Sequence, residues 1–289
     1  MPVIRVGDID LSYEREGTSP PVLLVCGTGM SSAMWRMLLA PALHAAGYST
    51  IAFDNRGVPP SAVPPPPYTV DQMADDAIGL LEALGIDRCA VAGASLGTLI
   101  TQTLARRRPD LVACAILIVG GGGFSAAGAA TIRAFIEVLQ ADALSPGVLE
   151  ALMLPSLVPA PKWHEDDQVR SGLLLAQAFN PPDACGLLGQ YQAGLAWNEE
   201  DRDAEFHTID VPVLALPAEH DPQFPPSRVR RAVSQARFGE IVEVPGATHI
   251  AIAPEHLDLI NDAVVSFLAR TFPPSGSAAG QRGGAHVRR

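Results

Sequence analysis

Short apolar runs alternate along the first part of the chain with longer segments in which apolar residues recur at helical spacing. Val3 to Val6 and Ile9 to Tyr13 read as strands joined by the turn residues Gly7-Asp8. Val22 to Val25, Ser49 to Phe53, Cys89 to Ala92 and Ala115 to Val119 are nearly all apolar, the pattern of strands buried on both faces. Between them, helices are expected from Ser32 to Ala46, after Thr69, and up to Arg107. The second opens on Thr69-Val70-Asp71-Gln72, which has the spacing of a capping box. It carries Met73, Ala77, Leu80, Leu81 and Leu84 on one face and stops at Gly85. The pattern resumes with a strand over Val211 to Leu216, a helix over Ser227 to Gln235, a strand over Glu240 to Val244 and a helix over Pro254 to Arg270. Strands alternating with helices in this way predict an α/β fold: a mostly parallel sheet with helices on both faces.

From Gly123 to His207 the alternation breaks into helix-like segments without a strong strand. This stretch holds Phe124, Phe135, Trp163, Phe179, Tyr191 and Trp197 together with prolines 155, 159, 161, 181 and 182. The expected organisation is a core of residues 1–122 and 208–272, an inserted helical cap over 123–207, and a Gly-, Ser- and Arg-rich tail, 273–289, that is disordered. The tract Gly120 to Gly123 precedes the cap and reads as a flexible hinge. It is not a dinucleotide fingerprint, because no helix with a ribose-binding acid follows at the required distance.

Composition narrows the function. The 289 residues are 48% apolar and only 18% charged, enough for a large core. The net charge of −11 argues against nucleic acid as a partner. The one basic run, Arg106 to Arg108, falls at a helix C-terminus, where cations complement the dipole. The N-terminus runs straight into strand-like sequence without the apolar stretch of a secretory leader, and no segment has the uninterrupted apolar length of a membrane helix. Cys26, Cys89, Cys114 and Cys185 are widely spaced, and no Cys/His cluster points to a metal. The simplest reading is a reduced, cytoplasmic protein with a small-molecule substrate, no metal and no cofactor; its oligomeric state is open.

The candidate chemistry lies on loops that follow strands. Ser95 sits in Gly93-Ala94-Ser95-Leu96-Gly97, a G-x-S-x-G pattern between a strand and a helix. That turn is tight enough to strain the serine backbone, and small residues on either side prevent collisions. The hydroxyl then stands clear of the sheet edge beside the free N–H groups of a helix N-terminus. A serine needs a base to act as a nucleophile at neutral pH. His249 follows the strand Glu240 to Val244 on a loop at its C-terminal end, the edge where catalytic groups gather in open α/β sheets; His220 is the rival. Asp221, in Ala218-Glu219-His220-Asp221-Pro222, follows the strand ending at Leu216 and is the carboxylate that would orient the histidine; Glu219 is its rival. An oxyanion would be held by the backbone N–H of Leu96 and a second N–H from Gly27-Thr28-Gly29-Met30, with Thr28 the first choice and Met30 the second. Met30, Phe124, Trp163 and Trp197 are the expected lining of an apolar substrate pocket.

These residues resemble the α/β-hydrolase superfamily of the serine-nucleophile type, and the resemblance runs from Val3 to Ala269. The order Ser95, Asp221, His249 is that family's order. Asp54-Asn55-Arg56-Gly57 with Ser61 is similar to its D-x-R-G-x-G-x-S segment, and Pro109-Asp110-Leu111-Val112 to the link into its next strand. Within the superfamily the chain is similar to enol-lactonases, aclacinomycin methylesterase-like enzymes and cofactor-free haloperoxidases. The chain departs from the family pattern at Cys26-Gly27, where His-Gly is common, at Pro59-Pro60, and at the small Ala94. The expected reaction is hydrolysis of a carboxylic ester or lactone through an acyl-enzyme, and the aromatic, proline-rich cap suggests a small apolar or aromatic substrate. The alternatives are a lyase, cyclase or perhydrolase on the same fold, as in secondary metabolism, and a ligand-binding receptor with a nearly silent triad.

Overall fold

Eight strands form one sheet in the order β1-β2-β4-β3-β5-β6-β7-β8. They are β1 (Val3–Val6), β2 (Ile9–Glu16), β3 (Pro21–Val25), β4 (Ser49–Phe53), β5 (Cys89–Ala94), β6 (Val112–Ile118), β7 (Val213–Leu216) and β8 (Gly239–Ile241). The computed structural model describes residues 1–18, 20–178 and 183–274. Phe179, Pro181 and Pro182, and the expected tail from residue 275 onward, lie outside the described residues. The pairs β1/β2 and β2/β4 are antiparallel and every other pair is parallel. The expected α/β architecture is therefore present.

Because successive side chains of a strand point to opposite faces, the apolar runs feed two cores. Leu23, Val25, Ile51, Val91 and Leu117 pack beneath α2 (Val70–Ala83), α3 (Leu96–Arg107) and α8 (Pro226–Val233). Val22, Leu24, Ala52, Ala92 and Ile116 pack beneath α1 (Ala40–Ala45) and α9 (Pro254–Thr271). The Thr69 capping box is formed in full: Thr69 Oγ accepts from the Gln72 N–H, and the Gln72 side chain accepts from the Thr69 N–H.

Three expectations are corrected in detail. The single helix over Ser32 to Ala46 is a 3₁₀ turn at Ser32–Arg36 followed by α1, because Pro41 has no N–H to carry a continuous helix and sits instead in the first turn of the second piece. The strand over Val211 to Leu216 begins only at Val213, after Pro212, which cannot donate to a ladder. The Glu240 to Val244 strand is regular only to Ile241 and regains one bridge, Ala218 to Val244, beyond Pro217.

Between β6 and β7 the described residues form α4 (Ala126–Gln140), α5 (Pro146–Leu157), α6 (Asp166–Ala178) and α7 (Ala184–Trp197). Phe135, Leu149, Met153 and Ala176 make a small core of their own there. α7 packs against α4 and also against α2 and α3 of the sheet layer. The Gly120 to Gly123 tract that leads into these helices is held rather than free. Gly122 N–H donates to Gln102, Gly123 N–H to Asp203 and Phe124 N–H to Asn198. Side chains are absent there because the neighbours leave no room: a β-carbon on Gly122 would stand 2.4 Å from Asp203 Oδ1.

The basic run is engaged in ion pairs: Arg107 with Asp71 and Asp75, Arg108 with Glu82 and Asp110, and Arg106 with Glu205. No described helix is long and apolar enough to cross a membrane.

The loop after β4 is tied down by buried polar bonds. Arg56 makes a two-pronged pair with Asp76 on α2, Nε to Oδ2 at 2.6 Å and Nη2 to Oδ1 at 2.7 Å. Ser61 Oγ donates to the Asp54 carbonyl and accepts from the Ser12 N–H. Removing one partner of a buried pair strands the other charge. Asp76→Ala is accordingly expected to lower stability by roughly 3–5 kcal/mol, read as the shift in a urea unfolding midpoint.

Candidate active site

β5 ends at Ala94 and α3 begins at Leu96, so Ser95 alone makes the turn. Its backbone is forced to φ 52° and ψ −118°, a conformation that non-glycine residues avoid. The helix can start so close to the strand only because Gly93 and Gly97 lack side chains. A β-carbon on Gly93 would stand 2.1 Å from the Gly97 carbonyl oxygen, and one on Gly97 would stand 2.3 Å from that of Val25. The turn therefore projects Ser95 from the C-terminal edge of the sheet, at the N-terminus of α3.

Asp221 and His249 come to the same edge on the loops after β7 and β8. Ser95 Oγ lies 2.8 Å from His249 Nε2, and His249 Nδ1 lies 2.8 Å from Asp221 Oδ2. Asp221 is 2% exposed, and a carboxylate can only accept hydrogen bonds. The Nδ1 proton therefore faces it, and Nε2 is left as the acceptor for the serine hydroxyl. Asp221 Oδ1 accepts from the N–H groups of Gln223 at 2.8 Å and Phe224 at 3.1 Å, which fixes the carboxylate plane. The Phe224 ring stacks on the imidazole, with centroids 5.9 Å apart, and touches Phe124 at 4.7 Å. This arrangement can withdraw the Ser95 proton and hold the resulting imidazolium.

The rival residues point elsewhere. His220 donates its backbone N–H to Ala247 and its ring faces Glu219. Glu219 in turn accepts from the Gly246 N–H. Cys26 is fully buried, and burial pushes its thiol pKa up, so it stays protonated beneath the loop.

The loop after β3 supplies an unpaired donor. Met30 N–H is taken by the Gly27 carbonyl at 3.2 Å, and Gly29 N–H by Gln190 Oε1 at 2.8 Å. Thr28 N–H has no partner among the described residues, nor has Leu96 N–H at the first position of α3. Both residues line a narrow recess with Ser95, Phe124, Ile132, Gln190, Tyr191, Gly194 and Gln223. Burial raises the Tyr191 phenol pKa, so its hydroxyl stays neutral.

Of the expected pocket residues, only Phe124 lines the recess. Trp163 is a correction: it is 47% exposed, and its indole N–H donates to the Val158 carbonyl, which holds it on the outside of the α5–α6 connection. Trp197 is also corrected, because it is buried in the core beneath α7 with the Arg202 guanidinium over its ring. Met30 packs half-buried beside Gly27 and onto the α1/α9 core rather than into the recess. Gln190, Phe224, Ile132, Tyr191 and Gln223 carry no local motif. The glycines at positions 186 and 189 on α7 are the one available signal, since paired small residues on a helix mark a close approach.

The family model described as the alpha/beta hydrolase fold matches residues 20–262. Among curated relatives, the provisionally named non-heme bromoperoxidase BpoC of Mycobacterium tuberculosis is 28% identical over 271 residues, covering 90% of this chain and 98% of that one. Rhodomycin D methylesterase DauP of Streptomyces sp. strain C5 is 27% identical, covering 86% of this chain and 92% of that one. Among solved structures, the enol-lactonase from Burkholderia xenovorans LB400 superposes with a TM-score of 0.78 at 25% identity, covering 93% of this chain and 100% of that one.

The crowding around Ser95 is directly testable. Gly97→Ala is expected to force α3 off β3 and to cost roughly 3 kcal/mol, measured as a lowered midpoint in chemical unfolding. A wild-type midpoint would contradict the packing described.

Proposed function

Because the chain belongs to the alpha/beta hydrolase fold family, we propose that it is a serine hydrolase that cleaves a carboxylic ester or lactone of a small apolar or aromatic molecule. The observation that carries this reading is the continuous chain of 2.8 Å contacts from Ser95 through His249 to Asp221, beside two unpaired backbone N–H groups. In the proposed mechanism Ser95 Oγ attacks the carbonyl carbon while His249 takes its proton. The Leu96 and Thr28 N–H groups hold the oxyanion. His249 then protonates the leaving alkoxide. Water, deprotonated by the same histidine, attacks the acyl-enzyme and releases the acid and the free serine. Asp221 keeps the imidazole in the required tautomer throughout.

The substrate class rests on the lining. Phe124, Ile132 and Tyr191 give the recess an apolar wall. The ester and lactone named in the similar methylesterase and enol-lactonase support the same choice. The helices of 123–207 are proposed to act as a cap over the core of 1–122 and 208–272, an assignment supported by their separate small core and by Phe124, Ile132 and Tyr191 facing Ser95. The bromoperoxidase named among the relatives favours one second reading, transfer of the acyl group to peroxide in place of water. Product analysis in isotopically heavy water separates the two, since hydrolysis must place solvent oxygen in the acid.

The decisive experiment is labelling with a fluorophosphonate probe. Wild type is expected to label, and Ser95→Ala and His249→Ala are not. Turnover of p-nitrophenyl acetate should fall by roughly 10⁴ or more in either variant. Labelling of Ser95→Ala, or an unlabelled wild type, would overturn the reading and favour a binding role.

A further inference from the structure

Gln190 sits on α7, far in sequence from every residue of the proposed mechanism, yet it is fully buried behind the Ser95 recess. Its helix reaches this position by backbone contact. Gly186 lies so close to the loop after β4 that a β-carbon there would stand 1.9 Å from the Gly57 carbonyl oxygen, and one on Gly189 would stand 2.5 Å from the Tyr68 ring. One turn beyond Gly186, the Gln190 side chain enters between two loops. Its Nε2 donates to the Arg56 carbonyl at 2.7 Å, and its Oε1 accepts from the Gly29 N–H at 2.8 Å. One partner is a pure donor and the other a pure acceptor, so only this orientation of the amide satisfies both. The Arg56 end is itself anchored by the buried pair with Asp76.

The Gly29 N–H belongs to the central peptide of the turn Gly27 to Met30. That turn closes through Met30 N–H to the Gly27 carbonyl at 3.2 Å and has Gly29 at φ 67°, the form of a type II turn. The bond to Gln190 ties this turn to α7 at the peptide that follows Thr28.

We propose that Gln190 is a positioning residue: by holding the Gly29 N–H at one end and the Arg56 carbonyl at the other, it anchors the Gly27–Met30 turn and so fixes the place of the neighbouring Thr28 N–H beside the oxyanion formed on Ser95. The oxyanion donor is then complete only while α7 is seated against the Gly57 loop, which couples the helices after β6 to the chemical step. The proposal rests on the reading of Ser95 as the nucleophile.

The test uses Gln190→Met, which preserves side-chain length and removes both bonds. With p-nitrophenyl acetate its kcat is expected to fall roughly 10- to 100-fold with KM within about two-fold, the signature of a displaced oxyanion donor. The inhibition constant of butylboronic acid, whose adduct with serine is tetrahedral and anionic, should rise by a similar factor, a change that loss of packing alone would not produce. Gln190→Glu, which keeps an oxygen for the Gly29 N–H, should retain more activity than the Met variant. If the Met variant does not fold, Gln190→Asn, polar but one methylene too short to reach Gly29, gives the same reading. A folded variant with wild-type kcat, or one whose kcat falls while boronate affinity is unchanged, overturns the proposal. A wild type that neither labels with fluorophosphonate nor turns over removes instead the serine-hydrolase reading beneath it.

Discussion

The structure depends on how closely α3 approaches the ends of β3 and β5. That approach leaves no volume for a β-carbon at Gly93 or Gly97, and it forces Ser95 into a backbone conformation that costs free energy wherever it occurs. The strain is sustained because both sides of the turn are anchored. β5 lies between β3 and β6 in the middle of the sheet, and α3 buries Leu96, Leu99, Ile100 and Leu104. The same constraint brings the N–H of Leu96 to the surface next to the serine hydroxyl. The position of Ser95 and its electrostatic setting thus follow from one packing contact.

A second layer of constraint holds the loops that meet this turn. Asp221 is oriented by two backbone N–H groups, and His249 is held between that carboxylate and the Phe224 ring. On the other side, Asp54 accepts from the Ser32 N–H, Asn55 donates to the Cys26 carbonyl, and Arg56 pairs with Asp76. Burial raises the Asp54 pKa, and the Ser32 N–H opposes that rise. The D-N-R-G segment contributes no atom to the proposed chemistry. It fixes the entry to the 3₁₀ turn through Ser32 and the end of β3 through Cys26, and these flank the loop that carries Thr28.

Much of this is legible in the chain before any coordinates. Strands buried on both faces write themselves as apolar runs, which is why β4 is bounded correctly at Ser49 and Phe53 and the Thr69 capping box is evident. Ser95, Asp221 and His249 can each be recognised as loop residues that follow strands, although the 2.8 Å contacts join His249 to Ser95, 154 residues away, and to Asp221, 28 residues away. Where local periodicity stops governing, legibility stops with it. Pro41 splits an expected helix by removing a single N–H. Trp163 and Trp197 are equally aromatic and both fall in the stretch between β6 and β7, yet one is exposed and the other is in the core. Which face of a helix meets the recess depends on how the helices after β6 stack, and that information is not local.

Gln190 illustrates this limit from the polar side. A glutamine within a helix is ordinary in sequence, and its weight here comes entirely from Gly186 and Gly57, which let two backbones nearly touch. Because that contact has no side chains to compress, it can hold α7 in one register with little tolerance for displacement. A short polar side chain one turn away then reads the register with the accuracy of a hydrogen bond. In an α/β sheet the reacting groups stand on loops at one edge, and loops are the least constrained part of the fold. Cross-bracing those loops by a helix from a different layer gives them the rigidity that strand ends alone cannot supply, and it makes the geometry around Ser95 a property of the docked layers rather than of the sheet.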